Sequence, residues 1–138
     1  MGSRADPTGD GERVSHRYAN DLFHAHLSLY AHAAAWARGA DVLDVGCGTG
    51  YGTDHLLLHG ARSVVGLDLD RTAVALATAD FARAGVSFAV GDAVDLPLAG
   101  GPAFDLVVAL NVLEHVPDVP AVLMGLAERL RPEGVLVV

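Results

Sequence analysis

The chain has 138 residues, of which 51% are apolar and 19% charged, and a formal net charge of −8. These values suit one globular domain rather than a disordered chain; with no run of Lys or Arg to offset the acidity, they disfavour a nucleic-acid partner. Cys47 is the single cysteine, which excludes an internal disulfide and a multi-cysteine zinc site; no apolar run is of membrane length and no leader-like hydrophobic region is present, so no membrane partner is expected and a cytoplasmic location is.

Residues 1–12 are rich in Gly and Asp, contain Pro7 and hold almost no apolar side chain, so a flexible tail is expected there. Residues 13–38 are read as an N-terminal helical lid. Leu22, Phe23, Leu27, Tyr30, Ala34 and Trp36 recur at mostly helical spacing over 17–36, and Gly39 closes the helix. Residues 39–138 are read as the core domain. In it, Val42 to Val45 form a short strand that runs into a glycine loop. A helix over 53–59 ends at Gly60, and a second strand covers 63–68. Asp70 is placed to cap a helix over 71–84, with Gly85 as its stop. Third and fourth strands follow at 86–90 and 104–110. A helix over 119–130 carries Leu123, Leu126 and Leu130 on one face, and a fifth strand opens at 135–138. Strands alternating with helices predict an α/β fold with a parallel sheet and right-handed crossovers. The strands are apolar on both faces, as expected where helices cover both sides.

The strongest chemical signal is the loop Asp44-Val45-Gly46-Cys47-Gly48-Thr49-Gly50. It lies between the first strand and the next helix, at the strand end where open α/β sheets bind ligands. Three alternating glycines exceed what a plain turn needs. The dinucleotide pattern G-x-G-x-x-G fails: counted from Gly46 its third glycine position holds Tyr51, and counted from Gly48 it holds Thr53. No Gly-Lys-Ser/Thr follows, so a P-loop is excluded. Asp44, an acid just before the loop, suits a cationic ligand better than a pyrophosphate.

The segment Val42-Leu43-Asp44-Val45-Gly46-Cys47-Gly48-Thr49-Gly50 resembles the first motif of class I S-adenosylmethionine-dependent methyltransferases. The similarity continues in the family's order through Val65-Gly66-Leu67-Asp68, Gly91-Asp92-Ala93, Phe104-Asp105-Leu106-Val107-Val108, Asn111-Val112-Leu113-Glu114-His115-Val116 and Leu130-Arg131-Pro132-Glu133-Gly134-Val135-Leu136. It covers about residues 41–138. The resemblance implies a three-layer α/β sandwich whose central, mainly parallel sheet has strand order 3-2-1-4-5. This is the Rossmann-like core, lacking the C-terminal hairpin that completes such a domain. It implies S-adenosylmethionine as cofactor and S-adenosylhomocysteine as product.

Residue by residue, the resemblance places Asp44, Gly46, Cys47, Gly48 and Gly50 in the cofactor loop. Asp68 would hold both ribose hydroxyls, a cis-diol that one carboxylate can accept from side by side. Leu69 would lie against the adenine, Asp92 would meet its amino group, and Ala93 would offer a backbone N–H. The competing reading of Asp92 is a turn cap. Leu110 would turn a carbonyl to the ammonium group, and Asn111 would lie beside the methionine end. From the lid, Tyr18 and then Tyr30 are the expected contacts. Cys47 has no base beside it and is read as a small buried side chain. The histidines of the lid, His24, His26 and His32, are read as solvated or packing residues. His115 is the candidate general base, against helix-start packing. Small-RNA terminal methyltransferases bind a metal through Glu-x-x-Glu-His; Asn111 stands at the first Glu position and no histidine follows His115, so no metal is expected.

Methyl transfer requires alignment and water exclusion more than it requires special side chains, so the acceptor is less legible than the cofactor. The segment after the fourth strand lacks the Asn/Asp-Pro-Pro-aromatic pattern of amino-methylating DNA enzymes, which favours a small-molecule acceptor. Two rival readings are a non-catalytic cofactor-binding module, or the N-terminal part of a larger methyltransferase, and a nicotinamide-linked oxidoreductase. If the chain stops at Val138, the apolar edge Val135-Leu136-Val137-Val138 predicts self-association, through that edge in a two-fold homodimer or else as aggregation.

Overall fold

The structure is a computed structural model, which describes residues 21–98 and 100–138. The expected tail and Tyr18 lie outside those residues. Helix α1 (Asp21–Ala33) passes through a single 3-10 turn (Ala34–Trp36) into β1 (Asp41–Val45). There follow α2 (Tyr51–Leu58), β2 (Ser63–Asp68), α3 (Arg71–Phe81), β3 (Val86–Val90) and β4 (Phe104–Val108). A 3-10 turn (Leu113–His115), α4 (Val119–Ala127) and β5 (Leu130–Val137) complete the chain. The sheet has the expected order β3-β2-β1-β4-β5, and every strand pair in it is parallel.

Parity along the strands assigns the two faces. Val42, Val64, Leu106 and Val108 pack with Tyr30, Ala33, Leu56 and Phe81 from α1, α2 and α3. Leu43, Val45, Leu67 and Val107 pack with Val122 and Leu126 of α4. Successive side chains point to opposite faces, so both layers are built from the same short apolar strands.

Local chemistry explains the helix ends. The Asp70 carboxylate accepts from the N–H groups of Thr72 and Ala73 at 2.6 and 3.3 Å, the expected cap. The helix it starts stops at Phe81 rather than 84, because Ala82 turns extended and Arg83 bridges back to Val86. Helix α4 also ends early, at Ala127, and its buried face is Val122 and Leu126 instead of Leu123, Leu126 and Leu130. Leu130 already belongs to β5. That strand begins five residues before the expected 135, and its register against β4 shifts between Phe104 and Leu106 to absorb Arg131-Pro132-Glu133-Gly134.

An ion cluster ties the amino ends of four strands. Asp41 of β1 accepts from Arg62 Nε at 2.9 Å, Ser63 Oγ at 2.7 Å and Arg131 Nη1 at 2.9 Å. Arg131 also reaches Asp105 of β4 at 3.0 Å, and Asp105 accepts the Asp41 N–H at 2.8 Å. The donors hold the Asp41 carboxyl well below the usual carboxylate range, Arg62 most of all. Among the described residues no helix is long and apolar enough to cross a membrane.

Candidate cofactor-binding site

A cavity of about 880 Å³ opens at the opposite end of the sheet, where β1 to β4 give way to loops. Its floor is the glycine loop. The N–H groups of Gly46 and Cys47 both donate to Leu67 O, at 2.7 and 2.9 Å, which pins the loop to the tip of β2. Gly46 has φ +76°, and a Cβ there would stand 2.5 Å from Val112 Cγ2; only glycine allows both the turn and that approach. Gly50, at φ +90°, faces inward, where a Cβ would meet Ala77 and the Phe88 ring at 2.8 and 2.9 Å.

Asp68 ends β2 and connects the loop to α3. Its Oδ2 accepts the Gly48 N–H at 2.9 Å and its Oδ1 the Asp70 N–H at 2.9 Å. A carboxylate oxygen can accept twice, so both oxygens retain capacity for a ligand. Asp92 accepts the Val94 N–H at 2.9 Å through Oδ1, the turn-capping bond that was its competing reading, while remaining on the cavity wall. Asn111 has φ +55°, a left-handed backbone that Asn tolerates better than most residues.

Of the residues singled out in the sequence, Gly46, Cys47, Gly48, Asp68, Leu69, Asp92, Ala93, Leu110, Asn111 and His115 come together on this wall. Asp44 and Gly50 do not. Asp44 is fully buried beneath the loop, on the β1 face that meets α1 and α2. It accepts from Tyr30 Oη and from Thr53 Oγ1, the latter at 2.7 Å. Burial, with the Asp68 charge, pushes its carboxyl up to about 7, against the pull of the two hydroxyls. Tyr30 is likewise core and not a wall contact, being 1% exposed.

Cys47 is buried, and desolvation with the nearby Asp44 and Asp68 charges pushes its thiol far above the ordinary range, so the sulfur stays protonated. His115 lies at the cavity mouth with its side chain 62% exposed, 3.9 Å from Glu114 Oε1.

The wall also includes residues not predicted as site residues, among them Leu22 and His26 of α1, Thr49 in the loop, and Tyr51 at the start of α2. His26 Nδ1 is hydrogen-bonded to Tyr51 Oη. His26 Nε2 and Thr49 Oγ1 are buried without a hydrogen-bond partner. The local signal for Tyr51 and Thr49 was their place within and beside the loop; nothing local marks Leu22 and His26.

The wall fits a ligand of mixed, mainly cationic character. Among the described residues it holds no Lys or Arg, while Asp68 and Asp92 face the cavity and Asp44 lies below it. A dinucleotide pyrophosphate would find no cation there. A sulfonium nucleoside with a cis-diol matches the acids. Three His, Cys, Asp or Glu side chains do not converge as metal ligands among the described residues.

Comparison with known proteins agrees. A family model described as a methyltransferase domain matches residues 43–138. A Mycolicibacterium smegmatis protein named "Probable S-adenosylmethionine-dependent methyltransferase" is 39% identical over 119 residues, covering 86% of this chain and 45% of its own. A ubiquinone biosynthesis O-methyltransferase of Azorhizobium caulinodans is 35% identical, covering 88% and 48%. The crystal structure of an S-adenosylmethionine-dependent methyltransferase from Mesorhizobium loti superposes with TM-score 0.72 at 28% identity, covering 79% and 50%. The chain belongs to the class I S-adenosylmethionine-dependent methyltransferases, a family whose cofactor is S-adenosylmethionine. It spans about half the length of these relatives.

Proposed function

We propose that the protein containing this chain transfers a methyl group from S-adenosylmethionine to a small-molecule acceptor, and that the cavity over the glycine loop is its cofactor seat. The observation that carries this is the convergence of Asp68, Asp92, Ala93 and the Gly46–Gly48 backbone on one cavity at the carboxyl ends of the strands. When bound, the cofactor supplies an electrophilic methyl on a sulfonium. The rest falls to the chain. Asp68 accepts from the ribose diol, and Asp92 and Ala93 meet the adenine edge beside Leu69. Leu110 and Asn111 orient the methionine end, and the loop closes the site to water. His115 accepts the proton of the nucleophile where the acceptor atom carries one. The segment 13–38 serves as the lid, with Tyr18, which lies outside the described residues, among its expected contacts.

Leu22, Leu69, Val94, Val112 and Val116 give the cavity an apolar rim, which suits an apolar acceptor. The relatives named ubiquinone biosynthesis O-methyltransferases support an oxygen nucleophile over nitrogen or carbon. The acidic composition supports an enzyme without a nucleic-acid partner.

Calorimetry with S-adenosylmethionine and with NAD tests the seat; binding of NAD alone would sink it. Transfer of radiolabelled methyl to a panel of catechols, amines and sugars tests the activity. Cofactor binding without transfer to any of them favours the rival reading, a binding module or one part of a larger methyltransferase.

The outer edge of β5 has no neighbouring strand among the described residues, and we propose that the 138-residue chain pairs there with a second copy. Light scattering on the chain and on Val137→Lys, at the end of β5, tests this. A monomer at high concentration for the unmodified chain would refute it.

A further inference from the structure

We infer that His55 and His59, one helical turn apart at the end of α2, form a two-histidine site for a borderline divalent cation such as Zn²⁺ or Ni²⁺. The site is independent of the cofactor reading, since neither residue lines the cavity. The pair lies instead toward the amino ends of the strands. There the Gly39 N–H donates to Gly60 O at 2.8 Å and the Arg62 N–H to Ala40 O at 2.8 Å, just ahead of β1.

The donors are of the right kind and spacing. Side chains four residues apart share one face of a helix, and two histidines so spaced can hold a single ion, the arrangement that zinc-binding helices use. Imidazole is a ligand that Zn²⁺, Ni²⁺ and Cu²⁺ favour. The two rings already lie against each other, with centroids 3.9 Å apart and planes 32° from parallel.

Hydrogen bonding selects the ligating atom of His59. Its Nδ1 lies 2.8 Å from His55 O. A carbonyl oxygen can only accept, so Nδ1 carries the proton and Nε2 keeps its lone pair. A ring N–H held by a backbone carbonyl is the usual outer partner of a metal-ligating histidine. His59 is exposed and His55 half-buried. In the stacked arrangement His55 Nε2 is covered and has no hydrogen-bond partner, which leaves a polar atom unsatisfied. By turning its ring out of the stack, His55 brings that nitrogen to an ion held by His59, and the unmet atom gains a partner.

The surroundings favour a cation and offer no rival ligand. The pair closes α2 at its carboxyl end, with His59 as the cap residue, and the carbonyl end of a helix dipole attracts positive charge. Asp54, the adjoining acid, is held by Arg83 at 2.5 Å. Among the described residues no third His, Cys, Asp or Glu joins the two histidines, so water completes the coordination.

Calorimetry of the 138-residue chain with ZnCl₂ tests the site. One ion should bind per chain in the micromolar range. His59→Ala and His55→Ala should each weaken that binding about tenfold or more, whereas His32→Ala, at an exposed histidine on α1, should change it less than about twofold. An ion that binds only the folded state stabilises it, so the unmodified chain should also melt higher in excess ZnCl₂, and His59→Ala should lose that shift. Far-UV circular dichroism identifies a variant that does not fold; if His55→Ala is one, the exposed position decides through His59→Ala. Affinity unchanged by His59→Ala, an equal loss in His32→Ala, or no binding by the unmodified chain overturns the site.

Discussion

The Tyr30 hydroxyl lies 3.0 and 3.2 Å from the two carboxylate oxygens of Asp44, joining the first helix to the first strand in the middle of the core. Burial and the Asp44 charge push the Tyr30 hydroxyl well above its ordinary range, so it remains a donor. Tyr30→Phe keeps the ring against Gly52 but leaves the carboxylate with Thr53 as its remaining side-chain donor. It should cost about 1.5–3 kcal/mol of stability, the range for hydrogen bonds to charged groups. Urea unfolding would show a lower midpoint with an unchanged slope; an unchanged midpoint would mean the contact contributes nothing net.

The same carboxylate gives a pH signature. Its folded value of about 7 lies above the ordinary 3.8. The folded chain therefore binds a proton that the unfolded chain has released between those values. This contribution is fully present below about 4 and is lost as pH rises through about 7, by up to about 1.4 kcal/mol per pH unit. Asp41 and Asp105 act oppositely, since their lowered values make their contribution disappear below about 4. Asp44→Asn isolates the effect. The stability of the unmodified chain minus that of the variant should fall from pH 5 to pH 8, and a flat difference would place Asp44 near its ordinary value.

Asp68→Ala should weaken S-adenosylmethionine binding by at least tenfold with the fold intact. Loss of a charged acceptor costs about 1.5–3 kcal/mol, and here it also frees the Gly48 N–H that shapes the loop. Calorimetry on the variant reads this directly, and an unchanged affinity would contradict the ribose role.

Gly52→Ala sets helix propensity against packing. In an open helix, alanine gains about 1 kcal/mol over glycine. Inside α2 its Cβ would stand 2.2 Å from the Tyr30 ring, and overpacking of that kind costs about 1–3 kcal/mol. The variant should melt lower than the unmodified chain. A higher melting temperature would show that α1 can shift without penalty.

Much of this was legible beforehand because its causes are local. The glycine pattern, the Asp70 cap and the two-faced apolar strands each act within a few residues and imply a parallel α/β sheet, while the strand order followed from the family resemblance. Asp44 was legible as an acid at a strand tip but not as a buried one. Its parity with Val42 assigns it to the α1 and α2 face, away from the wall, and that face becomes apparent only once the helices are placed. Leu22 and His26 reach the cavity because Tyr30 docks α1, and that contact crosses 14 residues with no repeating pattern. The α4 face was misjudged because Leu130 looks helical by spacing, whereas β4 takes it as a strand partner through Phe104.

Arg131 meets Asp41 across 90 residues of chain. A contact that distant encloses nearly the whole domain, and loop closure makes it a poor place for folding to begin. The local strand–helix–strand units must assemble first and bring the two residues together. The ion cluster is then a late-forming clasp whose influence falls on how slowly the sheet comes apart. In stopped-flow experiments Arg131→Ala should speed unfolding while leaving the refolding rate nearly unchanged; a slowed refolding arm would move the clasp into the nucleus.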